Sequence, residues 1–341
     1  MHKNLKSYTV CAMICTDSIV FQVWRMHRMK HANSFAEYTA DEIKGILLLA
    51  EKIKQNQKAY SHILEGKKLY TLFEKTSNRT YLSFAIGMEE LGGRHYNQKW
   101  ADSNFTIGDL GSEVKYVCRN VDCIMGRFKK AETTHGFMKN ATVPVINGCD
   151  NTFHPTQALA DMLTLYEKTG RFDVKVLYIG AKNNTYNSLS EIVAKLGGTM
   201  YGLTPFSQVM AVGGEFYDEL KQTGHYVEVP TDISQADLKK IVADVDCVYT
   251  DTWVDMEFFT NPEYKEKKES IINMMMPYQI NADLLEGTDT MVFHDMPIHP
   301  GFEISQDVME AHMETILDEA ENRRHAEKGL LVYLITGTLD W

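Results

Sequence analysis

Apolar and polar positions run along this chain in blocks whose period changes. In SFAEYTADEIKGILLLAEKIKQ, residues 34–55, apolar positions recur at helical spacing with Ile43, Ile46, Leu47 and Leu49 on one side, and Thr39 or Asp41 stands where a cap belongs. KKLYTLF (67–73) is a short apolar run that predicts a buried strand, NRTYLSFAIGMEEL (78–91) the helix it feeds, and GGRHYN the exit from that helix. VDCIMGR (121–127) and VPVINGC (143–149) predict two more strands. PTQALADMLTLYEKTG (155–170) predicts a helix opened by Pro155 and stopped by Gly170. Beyond Gly170 a second series begins: strand VKVLYIG, turn AKNNTYN, helix SLSEIVAKLG, strand TMYGLTP, helix QADLKKIVAD, then strands CVYTDTW and TMVFHDM. The final helical pattern, ENRRHAEKGLLVYLIT, is read as returning to the first domain.

Alternation of strand and helix predicts parallel sheets covered by helices on both faces, so the fold class is α/β with two doubly wound parallel-sheet domains joined near residues 165–172. Open sheets of this kind bind ligands at the carboxyl ends of their strands. Six polar clusters follow predicted strands: Ser77 to Thr80, Arg127, His154 with Gln157, Asn183 to Asn187, Asp251 to Asp255, and His294 to Pro297. All are expected on one edge.

A chain of 341 residues exceeds one ordinary core, in line with two domains. A formal charge of −11 argues against nucleic acid and anionic membrane as partners, so a local group of cations has to be a site. Cys11, Cys15, Cys118, Cys123, Cys149 and Cys247 lack the spacing of a disulfide framework or a zinc site, which predicts reduced thiols, no metal and a cytoplasmic setting. Residues 1–32 are read as an N-terminal extension. An organellar presequence, an appended helix, and an upstream start before Met26 or Met29 are its alternatives. The methionine run Met274 to Met276, the thiols Cys118 and Cys123, and EYKEKKES are read as packing, buried thiols and a solvated helix face.

FEKTSNRTYLSF (73–84) carries the first chemical signal. At a strand-to-helix turn the leading N–H groups lack partners and the helix dipole adds positive charge, which makes an anion site. Ser77, Asn78 and Thr80 add donors, and Arg79 adds a fork matched to phosphate oxygens. A capped helix with Arg79 on a solvated face is the plain alternative. The second signal, FHPTQALADMLTLYE, places His154 and Gln157 at another helix start.

Together these segments resemble the aspartate/ornithine carbamoyltransferase family, and the resemblance runs from about residue 33 through the whole chain. FEKTSNRTYLSF is similar to the family's carbamoyl-phosphate loop, S-T-R-T-R, keeping Ser77, Arg79 and Thr80 with Asn78 and Tyr81 at the varied places. The resemblance implies that Arg127 of IMGR meets phosphate and carbamoyl oxygen, that His154 and Gln157 of HPTQ hold the carbamoyl group, and that Arg323 of DEAENRRHAEKGLL is a late ligand, with Met296 beside them. It implies no cofactor and no covalent intermediate. Arg79, Thr80, Arg127, His154 and Asp295 are then the expected catalytic groups. The implied domains are 33–168 for carbamoyl phosphate, 169–310 for the second substrate, and 311–341 as the C-terminal helix.

FEKTS, YTDTWVDM, PYQIN and DEAENR look most like the ornithine branch, in which Asn183, Asn184, Asp251, Asp255, Met256 and Asp295 stand at the second-substrate positions. Three departures bear on the acceptor. Asp255 and Glu257 replace the serine and glycine of the branch's D-x-W-x-S-M-G loop, and Asp295 replaces the cysteine of H-C-L-P. Such acids disfavour an anionic acceptor and suit L-ornithine, putrescine or a modified ornithine. Asp295 either takes up the amine's proton or pairs with His294, His299 or an arginine. In FTIGDLGSE, where relatives carry a glutamine or lysine that reaches the neighbouring subunit, Thr106, Asp109 and Leu110 stand, leaving either Trp100 or Ser103 as substitutes or a weaker hold on carbamoyl phosphate. The resemblance also implies a homotrimer or a multiple of trimers. The expectation is a carbamoyltransferase giving L-citrulline from L-ornithine, against a different amine or an inactive carbamoyl-phosphate-binding paralogue.

Overall fold

The computed structural model describes residues 29–208, 212–254, 259 and 261–341. The expectations placed on the first 28 residues, on Asp255, Met256 and on Glu257 lie outside them.

Helix α1 (Ala40–Gln55) is capped by Thr39, whose side chain accepts from the Glu42 N–H while Glu42 reaches back to the Thr39 N–H. This capping box decides between Thr39 and Asp41. There follow β1 (Lys68–Phe73), α2 (Asn78–Glu90), β2 (Arg94–Lys99), α3 (Leu110–Cys118), β3 (Cys123–Arg127), α4 (Ala131–Asn140), β4 (Val145–Asn147) and α5 (Pro155–Thr169). The four strands form one parallel sheet in the order β2-β1-β3-β4. Gly170, with φ 72, ends α5 in the left-handed region that glycine adopts without cost.

The second half contains β5 (Lys175–Lys182), α6 (Asn184–Lys195), β6 (Thr199–Ser207), α7 (Gly214–Gln222), β7 (Tyr226–Glu228), α8 (Gln235–Asp244), β8 (Cys247–Thr250), α9 (Lys265–Met275), α10 (Ala282–Leu285) and β9 (Met291–His294). Its sheet is also wholly parallel, in the order β7-β6-β5-β8-β9. The chain closes with α11 (Gln306–Thr336), which packs on α5, α1 and α2 and also touches β9. The α/β class with two parallel sheets and a returning helix therefore holds.

α3, α4, α7, β7 and α10 were not among the expected elements, α6 begins at Asn184 inside the expected turn AKNNTYN, and two further elements differ from the sequence reading. GGRHYN is not only a helix exit, because Arg94–Lys99 continues as β2 in parallel register with β1, Lys68 opposite Arg94. The terminal helix starts at Gln306, well before the ENRR segment, so one rod of 31 residues spans both halves. Its buried face, from Ile316 through Glu319, Asn322 and Arg323 to Leu330 and Leu331, mixes polar with apolar side chains. The core under it is continuous: Ile43 and Leu47 of α1, Phe84 of α2, Leu159 and Leu163 of α5, Val176 of β5 and Leu189 of α6 form one cluster with Leu330 and Leu331. Cys118, Cys123, Cys149 and Cys247 are free, buried thiols. Met275 is buried and its neighbours Met274 and Met276 are exposed. Among the described residues no helix is long and apolar enough to cross a membrane.

Candidate active site

The carboxyl ends of β1, β3 and β4 face those of β5, β8 and β9 across a cavity of about 380 Å³. Its wall includes Ser77, Arg79, Thr80, Arg127, His154, Asn183, Asn184, Asp251, Asp295, Met296 and Arg323. Residues distant in sequence by up to 246 positions are thus gathered because each ends a strand or opens the helix after one, except Arg323, which α11 carries in.

At one end stand three guanidinium groups. Ser77 caps α2, its hydroxyl accepting from the Thr80 N–H at 3.2 Å, and this fixes the turn that presents Arg79 and Thr80. Thr80 Oγ1 accepts from Arg127 Nη1 at 3.4 Å and from Arg323 Nη2 at 3.0 Å. A hydroxyl whose oxygen takes two cationic donors must aim its own proton elsewhere, so Thr80 becomes a donor. Arg127 Nη1 also donates to the Gly148 carbonyl, and Arg79 Nη2 donates to the Met296 carbonyl. Met296 has φ 59, and its carbonyl joins the second half to the arginine cluster. The Nε atoms of Arg79 and Arg127 are buried without a hydrogen-bond partner among the described residues. Burial, and after it the neighbouring Arg323 and Arg127 charges, pull the Arg79 guanidinium below its ordinary value, against the opposing charge of Asp295. Three crowded cations of this kind fit a doubly charged anion.

His154 occupies the cap position of α5, followed by Pro155 at the first helical position. Its backbone N–H donates to Ser188 Oγ of α6 at 2.8 Å, which joins the two halves beside the cavity. Complete burial, then repulsion from Arg323, Arg127 and Arg79, drive its imidazole well below the ordinary histidine value. The ring is neutral around pH 7 and can donate one hydrogen bond without adding charge.

Acidic groups line the cavity beside these cations. Asp251 accepts from Asn183 Nδ2 at 2.8 Å and from the Thr252 N–H at 2.7 Å, and burial, then the charge of Asp295, raise its carboxyl to about 7. Asp295 accepts from Thr185 Oγ1 at 3.0 Å, and its Oδ1 lies 3.9 Å from Arg323 Nη1. His294 is not its partner, since Nε2 of that ring lies 3.1 Å from Glu303 Oε1. Burial works against both charges of this second pair, but the His294–Glu303 contact outweighs it, holding Glu303 down at about 2 and His294 above its ordinary value.

Several expected ligands sit differently. Gln157 is buried behind the wall, its carbonyl accepting from Arg323 Nη1 at 2.6 Å. Asn78, the first helical residue of α2, points outward and is exposed. The amides of Asn183 and Asn184 face the cavity but are engaged, Asn183 with Asp251 and Asn184 Nδ2 with the Asp150 carbonyl at 2.6 Å. Asp109 caps α3 by accepting from the Ser112 N–H at 2.8 Å. Trp100 stacks on Phe105, ring centroids 5.8 Å apart, and packs against a core cluster within this chain, and Ser103 donates to the Trp100 carbonyl. Lys75 and Thr185, from the expected clusters, also line the cavity, and so do Lys129, Cys149 and Gln208, which were not anticipated. Lys129 and Cys149 each lie just past a strand end, and that position alone would have flagged them. Cys149 has φ 121, an uncommon conformation for a residue with a Cβ.

Two facing parallel sheets with a cation-lined strand-end cavity define a class of two-domain enzymes that hold a small anion against a second substrate. The carbamoyl-P binding domain of aspartate/ornithine carbamoyltransferases matches residues 30–167, and the Asp/Orn binding domain matches residues 172–334. This chain belongs to the aspartate/ornithine carbamoyltransferase family. It is 34% identical over 313 residues to the ornithine carbamoyltransferase of Archaeoglobus fulgidus, covering 90% of this chain and 98% of that protein. The anabolic ornithine carbamoyltransferase of Pyrococcus furiosus is 34% identical over 313 residues, 88% of this chain and 95% of that protein. The solved ornithine carbamoyltransferase from Pyrococcus furiosus superposes with a TM-score of 0.80 at 33% identity, covering 91% and 98% of the two chains. The anabolic enzyme from Campylobacter jejuni superposes at 0.79 with 27% identity, covering 91% and 100%. The fold and the family support carbamoyl transfer as the chemistry.

Proposed function

We propose that the protein transfers the carbamoyl group of carbamoyl phosphate to the side-chain amine of a basic amino acid, L-ornithine giving L-citrulline and phosphate. The observation that carries this reading is the mixed lining of the cavity: the cations Arg79, Arg127 and Arg323 stand in the same wall as the acids Asp251 and Asp295, and Asp295 Oδ1 lies 3.9 Å from Arg323 Nη1. The guanidinium groups, the Ser77 hydroxyl and the N-terminus of α2 suit the phosphate, while the Thr80 hydroxyl, Arg127, Arg323 and neutral His154 suit the carbamoyl oxygen, where charge grows as the amine attacks. A cationic acceptor first gives up one proton, to a cavity carboxylate or to water, and its lone pair then forms the new N–C bond as the C–O bond to phosphate breaks. The nitrogen then gives up one proton and the departing phosphate takes it, leaving a ureido compound and hydrogen phosphate. Holding both reactants in one cavity removes most of the entropic part of the barrier.

Two carboxylates beside the attacking nitrogen favour a cationic acceptor and oppose aspartate. Lys75 and Lys129 in the same wall suit the α-carboxylate of an amino acid, which favours ornithine over putrescine. A colorimetric assay for ureido product with carbamoyl phosphate and a panel of L-ornithine, L-lysine, putrescine, acylated ornithines and L-aspartate tests this. Ornithine should give the highest kcat/KM and aspartate none. A putrescine maximum would transfer the reading to a diamine, and saturable carbamoyl-phosphate binding without product from any amine would leave a non-catalytic paralogue.

A further inference from the structure

Behind the cavity wall a second set of carboxyls meets where the two halves and α11 come together. Gln157 Nε2 donates to Asp161 Oδ1 at 2.9 Å and to Glu319 Oε1 at 3.0 Å. Both of its protons are therefore spent on carboxyl oxygens, and its own carbonyl is left to face Arg323, from which it accepts at 2.6 Å. An amide held this way cannot flip without setting its N–H groups against a guanidinium. Glu319 has a second attachment on the other sheet: the Tyr249 hydroxyl of β8 donates to its Oε1 at 3.2 Å, and the His294 N–H donates to its Oε2 at 3.0 Å. His294 opens the turn that carries Asp295 and the Met296 carbonyl bound by Arg79. Asp161, Glu319, Gln157 and Tyr249 are all buried. Burial, and for Asp161 the neighbouring Glu319 charge, raise both carboxyls, so a proton is held within the pair.

We propose that Glu319, acting with Asp161, is a positioning residue that locks the Gln157–Arg323 contact and ties the anion end of the cavity to the His294–Pro297 turn at the amine end. Glu319 reaches no substrate. One turn separates it from Arg323 on α11, so a single rigid element carries both the ligand-facing cation and the carboxyl that sets its partner. Glu319→Gln replaces an acceptor for the His294 N–H with a donor or turns the amide against Gln157. The first outcome frees the His294–Pro297 turn and the second frees Gln157, and in either case the tie between the two is lost.

The inference rests on the proposed reading of the cavity, and the test separates the two. Steady-state kinetics of the wild-type protein and of Glu319→Gln are compared with both substrates varied, together with thermal unfolding. The expected result is a fall of about 10- to 100-fold in kcat/KM, the scale of one disrupted charged hydrogen bond, with the KM for carbamoyl phosphate and the KM for the amine both raised. Asp161→Asn should give the same paired change and covers a failure of the first variant to fold. Tyr249→Phe, which leaves the Gln157 and His294 contacts in place, should change either KM by no more than about threefold, on the scale of one neutral hydrogen bond. A lowered unfolding midpoint with both KM values unchanged, or a change confined to one substrate, would overturn the proposal. A wild-type protein that makes no ureido product would instead overturn the reading of the cavity.

Discussion

Asp251 and His154 respond to the same cavity in opposite ways, because burial penalises whichever form is charged. Asp251 is raised to about 7 and His154 is driven well below its ordinary value. With Asp251 ionised only above about 7, attraction for a cationic acceptor grows as the pH rises through that value. The affinity of the free enzyme for the amine should strengthen between about pH 6 and 8, and Asp251→Asn should flatten that rise. Titration calorimetry at several pH values checks it, and an unchanged rise in the variant would remove Asp251 from the acceptor site. Arg79→Ala should lower kcat by about 100- to 1,000-fold, the loss typical of one preorganised donor to a developing charge. Arg79→Lys should rescue little, since a point charge cannot also keep the contact to the Met296 carbonyl. The sequence announced Arg79, Thr80 and His154 through local spacing, because each belongs to a short strand-to-helix motif. It could not announce that Gln157 would turn away toward Asp161 and Glu319, since that choice depends on partners up to 162 positions distant.

Elements were legible to the extent that burial wrote a period into them. β3, β4 and β8 are buried throughout or nearly so, and their apolar runs gave them away. β2, RHYNQK, is an edge strand with no residue fully buried, and it lacked any such signal. α11 hid its length for a related reason: its first turns carry an even mix of polar and apolar residues, and its buried face includes Glu319, Asn322, Glu327 and Lys328. Packing of α11 on α1 is close enough to be tested by one methyl group. A Cβ built on Gly329 would lie 2.5 Å from the Ile46 carbonyl and 3.0 Å from the Ala50 Cβ. Gly329→Ala should destabilise the fold by about 1–3 kcal/mol, the cost of overpacking a fitted interface. Denaturant unfolding measures this, and an unaltered or raised midpoint would mean that α1 and α11 are not in this contact.

For the whole molecule, alternation of strand and helix told of two parallel-sheet halves, and the strand-end rule told where they would face each other. Which loop meets which across the cavity was settled only by packing, through joints such as His154 to Ser188 and Arg79 to Met296. The family resemblance implies a homotrimer, in which a second copy of the chain is expected to cover exposed apolar side chains such as Tyr81, Leu82 and Ile86 of α2. Light scattering coupled to gel filtration should give the mass of three chains or a multiple of three. A monomer at micromolar concentration would contradict this.

The central claim is that one cavity grips the anion of carbamoyl phosphate and delivers its carbonyl carbon to an amine. Following isotope-labelled carbonyl carbon by NMR in the presence of L-ornithine tests it most directly. The account predicts that the label appears in the ureido carbon of citrulline with one phosphate released per citrulline, and that Arg79→Ala slows both together. Label recovered only as bicarbonate or cyanate, at the same rate with and without the protein, would contradict it.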